Sequence, residues 1–322
     1  MATAEQIKSL IRSFLSSDEE RFYTIALQVA AHEAQQGHGA LAHEIREIID
    51  KARQVRRDST LKFPNELKGL VISEKPSDRI ASLIIPSILQ RRVERIIHEY
   101  RQMHKLKMHG LMPRRKIMLV GPPGTGKTFT SKVLAHELRL LLYTIQVDRL
   151  VTKFMGETSA KLRQIFDLIQ QSIGVYLFDE FDAIGGERSL GNDVGEMRRV
   201  LNSYLQFIEQ DTSDSLIIAA TNSPKLLDRA LFRRFDDVLY YSLPQEEERK
   251  HLMLNILGSF KAPKFSWSPV LIESKGLSHS EISQACRDAI KQAILDDKDI
   301  VNSMLLIQML KEKQSARSES KS

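Results

Sequence analysis

The sequence predicts an α/β protein: a parallel β-sheet covered by helices on both faces, preceded by a helical region and followed by a small all-helical domain. Three observations carry this. Five short apolar runs, "KIMLV" (116–120), "LLYTIQV" (141–147), "GVYLF" (174–178), "SLIIAA" (215–220) and "DVLYY" (237–241), alternate with helical patterns at 127–139, 158–171, 196–210 and 224–231. Continuous apolar strands separated by helices read as a sheet buried on both faces. After Pro244 the strands stop, and helical patterns continue at 246–258, 268–274, 279–296 and 301–313.

The elements divide the chain as follows. Residues 1–57 are predicted to be helical, because "FYTIALQVAAHEAQQ" and "GALAHEIREIIDKARQV" repeat apolar residues at i, i+3, i+4 and i+7, with "GHG" (37–39) breaking them apart. Residues 58–78, with Pro64, Gly69 and Pro76, read as a connector. Residues 79–243 form the α/β domain, 244–313 the helical domain, and "QSARSESKS" (314–322) a frayed tail. The pattern from 79 to 112 is helical before the first strand.

Composition is that of a folded globular protein, 42% hydrophobic and 27% charged. The single cysteine, Cys286, allows no internal disulfide and fits a reducing compartment. No apolar run approaches the length of a membrane span and the N-terminus has no signal-like h-region, so a cytoplasmic location is expected. The net charge of +6 is concentrated: segment 91–116 holds nine Lys/Arg against two Glu, a local +7. Such a stripe can be a nucleic-acid footprint. A solvated helix face is the favoured reading, since no aromatic residues interleave the charges for base stacking. His32, His38 and His43 lack metal-binding spacing.

"GPPGTGKT" (121–128) matches G-x-x-x-x-G-K-[ST] directly after a predicted strand and at the start of a predicted helix. Gly121, Gly124 and Gly126 allow the backbone to wrap a phosphate chain, with main-chain N–H groups and the helix N-terminus supplying positive potential. Gly121, Pro122, Pro123, Gly124, Thr125, Gly126, Lys127 and Thr128 are therefore candidate nucleotide-binding residues. Lys127 reaches the β- and γ-phosphates, and Thr128 is a ligand for Mg²⁺. "VYLFDEFDAIGG" (175–186) ends a strand in Asp179 and Glu180. Carboxylates at that end of a parallel sheet face the ligand crevice, so Asp179 is a second Mg²⁺ ligand and Glu180 a base for an attacking water. Asn222 of "AATN" ends the next strand and is placed to hold that water, or to cap the following helix.

With these motifs in view, the chain from about 79 to 312 resembles the AAA clade of AAA+ ATPases. "GPPGTGKT" corresponds to Walker A, "VYLFDEFD" to Walker B and Asn222 to sensor 1. The resemblance implies ATP and Mg²⁺ as cofactors, ATP hydrolysis, and a ring, a hexamer by family habit. "LDRALFRRFD" (227–236) resembles the segment whose arginines act on the neighbouring subunit's ATP, which makes Arg233 and Arg234 the finger candidates. Its spacing is shorter than in many members, so the main finger stays open between the two. "GLSHSEISQACRDA" (276–289) resembles the start of the lid helix near the adenine; His279 and Ser280 stand where Gly-Ala is usual. His279 is thereby a candidate contact to base or ribose.

"TKFMGET" (152–158) sets Phe154 and Met155 in a short polar stretch ahead of an amphipathic helix with its own apolar stripe. In the family an aromatic-apolar-Gly loop at this place lines the ring's pore. The resemblance makes Lys153, Phe154, Met155 and Gly156 a substrate-gripping pore loop, with "GGERSLGNDVGE" (185–196) at the position of a second loop. The function expected is a protein remodeller or unfoldase that threads polypeptide, its N-terminal helices binding substrate or an adaptor. Bacterial relatives of this stand-alone type often occur beside a subtilisin-like serine protease, which suggests such a partner. The alternatives are a nucleic-acid motor or loader, and a nucleotide-dependent recruitment switch. The intact set Asp179, Glu180 and Asn222 argues against the switch.

Overall fold

Strand β2 (Lys116–Val120) lies deep in a six-stranded sheet. The computed structural model describes residues 8, 9, 13, 19–47, 49, 67, 69–153, 157–185, 193–224 and 229–319. Other strands are β1 (Val71–Glu74), β3 (Leu142–Gln146), β4 (Val175–Asp179), β5 (Leu216–Thr221) and β6 (Asp237–Tyr240). Their order is β1-β3-β4-β5-β2-β6, parallel throughout except for the antiparallel β1–β3 pair. Ile117, Met118, Leu119, Leu177, Phe178, Ile217 and Ile218 are all fully buried, as a sheet covered on both faces requires. Each such side chain contributes about 1.5–3 kcal/mol relative to exposure.

β1 corrects the reading of 58–78 as a featureless connector. Its sequence, VISE, is short and half polar, because an edge strand paired on one side buries little; Val71 is buried while Ile72 and Ser73 are exposed. The segment from 79 also differs from expectation. It runs through a 3₁₀ turn at Ile80–Ser82 before helices α2 (Ser87–Arg101) and α3 (Met103–Met108) begin.

Helices α4 (Lys127–Leu138), α5 (Val147–Lys153), α6 (Thr158–Gln171), α7 (Asp182–Gly185), α8 (Asp193–Gln210) and α9 (Arg229–Phe232) follow among the strands. α2 buries Leu89, Val93, Ile96 and Ile97 against the sheet. Five of the nine basic side chains of segment 91–116 are matched by carboxylates. Arg92 pairs with Asp237, Arg101 with Glu137 (2.9 Å), Lys107 with Asp214 (2.5 Å), Arg114 with Glu99 and Arg115 with the buried Asp211.

After β6 come α10 (Glu246–Leu257), α11 (Trp267–Glu273), α12 (His279–Leu295) and α13 (Ser303–Glu319) around an apolar core that includes Met253, Leu257, Val270, Ile282, Cys286, Leu306 and Leu310. Burial pushes the Cys286 thiol up to about 12, which keeps it protonated and inert. Arg249 is buried and donates to Ser274 Oγ, Pro244 O and Leu271 O, fixing the start of α10 to the end of α11. The tail expected to fray from Gln314 is helical through Glu319. Ala316 is its one apolar residue, too little to make a periodic pattern; Gln314 and Arg317 instead donate to the carbonyls of Glu273 and Gly276.

Residues up to Phe63 form a separate compact unit. There α1 (Glu19–Gln35) buries Ile25, Ala26, Val29 and Ala30, Gly37 breaks the helix with φ +86°, and residues 39–47 are helical again. His38 Nδ1 meets Glu33 Oε2 at 2.7 Å. No helix among the described residues is long and apolar enough to cross a membrane.

Candidate active site

The loop after β2 is built on glycines for steric reasons that can be stated atom by atom. A Cβ on Gly121 would lie 2.4 Å from Tyr241 O. On Gly124, whose φ is +72°, it would lie 2.7 Å from Ser278 Oγ. Gly126, φ +101°, is the N-cap of α4. The backbone thus curls with its N–H groups available, and α4 begins at Lys127.

Lys127 is buried and its Nζ donates to Gly121 O (2.7 Å), Pro122 O (2.8 Å) and Asn222 Oδ1 (2.7 Å). Burial lowers its pKa to about 8, against the opposing pull of Asp179 and Asp182. Thr128 Oγ1 donates to Asp179 Oδ2 at 3.0 Å. Glu180 follows in the left-handed region, φ +53°, a conformation that costs a non-glycine residue about 1–3 kcal/mol and is held only where the surroundings enforce it. They do so here: Phe181 N donates to Ala220 O and Ala183 N to Glu180 O, both at 2.8 Å. Partial desolvation first, then Asp148, Asp179 and Asp182, raise the Glu180 carboxyl above its ordinary range.

These groups line one cleft of about 660 Å³, within the range of nucleotide-sized sites. Pro123, Gly124, Gly126, Lys127, Thr128, Asp179, Glu180, Asn222 and His279 form its walls together with Leu83, Ile84, Asn255 and Ile256. Gly121, Pro122 and Thr125 are not among the lining residues. The Thr125 side chain is buried and its hydroxyl donates to Pro122 O, so it shapes the loop. Both ring nitrogens of His279 are buried and, among the described residues, neither has a hydrogen-bond partner of normal geometry; burial lowers its pKa, with the nearby Ile84 backbone partly opposing.

The lid reaches the loop directly. Ser280 N donates to Gly124 O at 3.0 Å, and Ser278 caps α12 in a reciprocal pair with Glu281. Asp182 is a site residue that sequence reasoning passed over, although it stands in the quoted "FDEFD". Its Oδ1 accepts from Asn222 N and Thr221 Oγ1, each at 3.2 Å, and so ties the Asn222 turn to the carboxylate turn. Only the pairing, which joins residues forty apart in sequence, reveals it.

Arg233 and Arg234 do not reach the cleft of their own chain. Both are exposed after α9, and Arg234 pairs with Glu209. Phe154, Met155 and Gly156 lie outside the described residues, as do 186–192 of the second loop, and of Lys153 only the backbone, at the end of α5, is described.

Residues 117–243 match the family model described as the ATPase family associated with various cellular activities, AAA. An uncharacterized AAA family ATPase of Sinorhizobium fredii is 30% identical over 309 residues, spanning 92% of this chain and 91% of that one. The protein SUPPRESSOR OF K(+) TRANSPORT GROWTH DEFECT 1 of Arabidopsis thaliana is 31% identical over 58% of this chain, which spans 44% of its length. A homologue of a 26S proteasome regulatory subunit from Methanocaldococcus jannaschii is 30% identical over 65% of this chain, which spans 57% of its length. Among solved structures, the FIGL-1 AAA domain superposes with a TM-score of 0.62 at 20% identity, over 81% of this chain and 96% of that domain, a likeness of fold. With the Sinorhizobium relative matched over nearly its whole length and the loop, carboxylates and lid in place, the chain belongs to the AAA family of ATPases.

Proposed function

We propose that this protein is a Mg²⁺-dependent ATP hydrolase that works as a ring, a hexamer, and remodels or unfolds protein substrates by drawing polypeptide past the 153–156 loop. The observation that carries the chemistry is the convergence of Lys127, Thr128, Asp179, Glu180 and Asn222 on one cleft. The residues suit the ligands. Gly124, Gly126 and Lys127 line the cleft where α4 begins, Thr128 and Asp179 present paired hard oxygens for Mg²⁺, and His279 offers two ring nitrogens with no hydrogen-bond partner among the described residues. Bound Mg²⁺ neutralises phosphate charge.

The chain's own residues do the rest. Lys127 exchanges its carbonyl partners for phosphate oxygens. The side-chain amide of Asn222, freed from Lys127, orients the water. A Glu180 carboxylate oxygen takes the water's proton, and its raised pKa suits a base. His279 contacts the adenosine. Arg233 and Arg234, exposed and away from their own cleft, act on the neighbouring subunit's phosphates.

Protein is favoured over nucleic acid as the substrate. Five of the nine basic side chains in 91–116 are paired with carboxylates of the same chain, which leaves a weak electrostatic footprint. The Methanocaldococcus relative named as a proteasome regulatory subunit homologue supports the same choice. The N-terminal helices bind substrate or adaptor, and a subtilisin-like serine protease is a candidate partner. The test is steady-state hydrolysis with an unfolded polypeptide and, separately, with DNA. Stimulation by polypeptide that Phe154→Ala abolishes is expected; stimulation by DNA alone would overturn the reading.

A further inference from the structure

The strained turn at Glu180 rests on a group of aromatic rings that join two helices, a strand and the turn itself. Phe178 and Phe181, which flank the Asp179-Glu180 pair, are fully buried. Tyr204 of α8 is their shared neighbour. Its ring lies 4.6 Å from that of Phe181 at 56° and 5.1 Å from that of Phe178 at 78°. On its other side it meets Phe166 of α6 at 5.7 Å and 69°. Next to it, Ser203 Oγ and Ser159 Oγ lie 3.1 Å apart and join α8 to α6 a second time.

Tyr204 is also an anomaly. It is fully buried, and among the described residues its hydroxyl has no hydrogen-bond partner. A buried hydroxyl left unpaired costs about 1–3 kcal/mol. The ring must therefore supply what the hydroxyl does not. What it touches is the flank of the one non-glycine residue in the cleft that holds a left-handed conformation. Phe181 is one residue from Glu180 and its amide is tied to Ala220, so the ring of Phe181 and the φ of Glu180 cannot move independently.

We propose that Tyr204 is a positioning residue for the hydrolytic reaction: its ring, delivered by α8, holds Phe181 and thereby the Glu180 carboxylate in its productive place. The inference rests on the reading of Glu180 as the base. Since α6 and α8 both bring side chains to this ring, a displacement of either helix is transmitted through it to the carboxylate. Among the described residues no ring pair or hydrogen bond joins Tyr204 to the phosphate-binding loop, so nucleotide affinity is separate from its role.

Four variants test this on the full-length protein. Tyr204→Leu is expected to bind ATP within about twofold of wild type and to lose about 10²-fold in kcat, the cost of a reacting group misplaced by about 1 Å. Tyr204→Phe, which keeps the ring, is expected to restore kcat and to raise Tm. Phe166→Leu removes a ring that packs on Tyr204 and on Phe178 but forms no ring pair with Phe181, and should lower Tm with kcat held within about threefold. Glu180→Gln with Tyr204→Leu should hydrolyse no more slowly than Glu180→Gln alone, because both changes act on one group. If Tyr204→Leu yields no folded protein, Phe181→Leu cuts the same contact from the other side and carries the same expectation. Equal loss of kcat from Phe166→Leu, or loss of kcat and ATP affinity together in Tyr204→Leu, reduces the cluster to packing and overturns the proposal. A fully active Glu180→Gln removes the base assignment itself, whereas an inactive Glu180→Gln beside a fully active Tyr204→Leu removes only this inference.

Discussion

The cleft and the arginine turn are opposite in construction. In the cleft most candidate groups are held by another group of the same chain: Lys127 by Asn222 and two carbonyls, Thr128 by Asp179, Asn222 by Asp182, Gly124 by Ser280. At the turn after α9, Arg233 and Arg234 stand exposed, with Glu209 the partner of Arg234. An exposed pair of that kind is worth at most about 1 kcal/mol and is readily exchanged. The cleft is preorganised for nucleotide before any partner arrives. The arginines are held loosely and in the open, as side chains must be if their proper target lies on another copy.

The largest effect should come from that turn. If the arginines act across subunits, Arg233→Ala or Arg234→Ala should slow hydrolysis by about 10³–10⁵-fold without lowering Tm, since neither side chain is buried. Mixing Arg234→Ala subunits with Lys127→Ala subunits should restore part of the rate, because each supplies what the other lacks. Mixed rings that stay inactive at every ratio would place both halves of the site in one chain and end the comparison.

The cleft side is next. Glu180→Gln should keep ATP affinity near wild type, because the phosphate loop is untouched, and lose about 10²–10⁴-fold in turnover. Binding by calorimetry and hydrolysis under saturating ATP separate the two. Normal turnover would remove Glu180 from its role and leave its left-handed strain without a functional reason.

A smaller effect is expected at the junction of loop and lid. Gly124→Ala places a Cβ 2.7 Å from Ser278 Oγ in a backbone region that alanine avoids. The strain should cost about 1–3 kcal/mol, expressed as a lower Tm and a weaker hold on ATP. Ser278→Ala or Ser278→Gly removes the colliding atom and should relieve part of that cost in the double variant. Full additivity of the two changes would mean that the loop and the lid cap do not meet.

How much of this was legible in the sequence follows from where each constraint is written. The phosphate loop was legible because main-chain geometry demands glycine at fixed spacing directly after an apolar strand, and all of that lies within thirteen residues. The central parallel strands β2, β4 and β5 were legible because burial on both faces leaves little room for polar residues. β1 was not, since an edge strand of four residues with two exposed side chains resembles a loop. The end of α13 was not, because side chains donating to carbonyls about forty residues away leave no periodic trace. Asp182 and Tyr204 are visible as letters, but their partners Asn222 and Phe181 are joined to them only by the packing of the sheet. The arginines mark the limit: their exposure can be read from one chain, and their target cannot.

The smallest predicted effect concerns His279, the cleft residue with least support from its own chain. Its ring is held below the ordinary histidine value, 6.5, chiefly by burial, and among the described residues neither nitrogen has a hydrogen-bond partner of normal geometry. The unfolded chain therefore binds more protons than the folded one as pH falls through 6.5, and stability declines in that window until the folded ring also protonates. The slope is at most about 1.4 kcal/mol per pH unit. Nucleotide-free protein should show a falling Tm between pH 7 and pH 5 on this account, and His279→Leu should flatten that part of the dependence. If the ring also bonds the adenosine, the same variant should weaken ATP several-fold, the worth of one hydrogen bond of about 0.5–1.5 kcal/mol, and leave kcat at saturation unchanged. A flattened pH profile with unaltered ATP affinity would make His279 a packing residue of the lid, and the cleft would then recognise the base through its backbone and apolar walls alone.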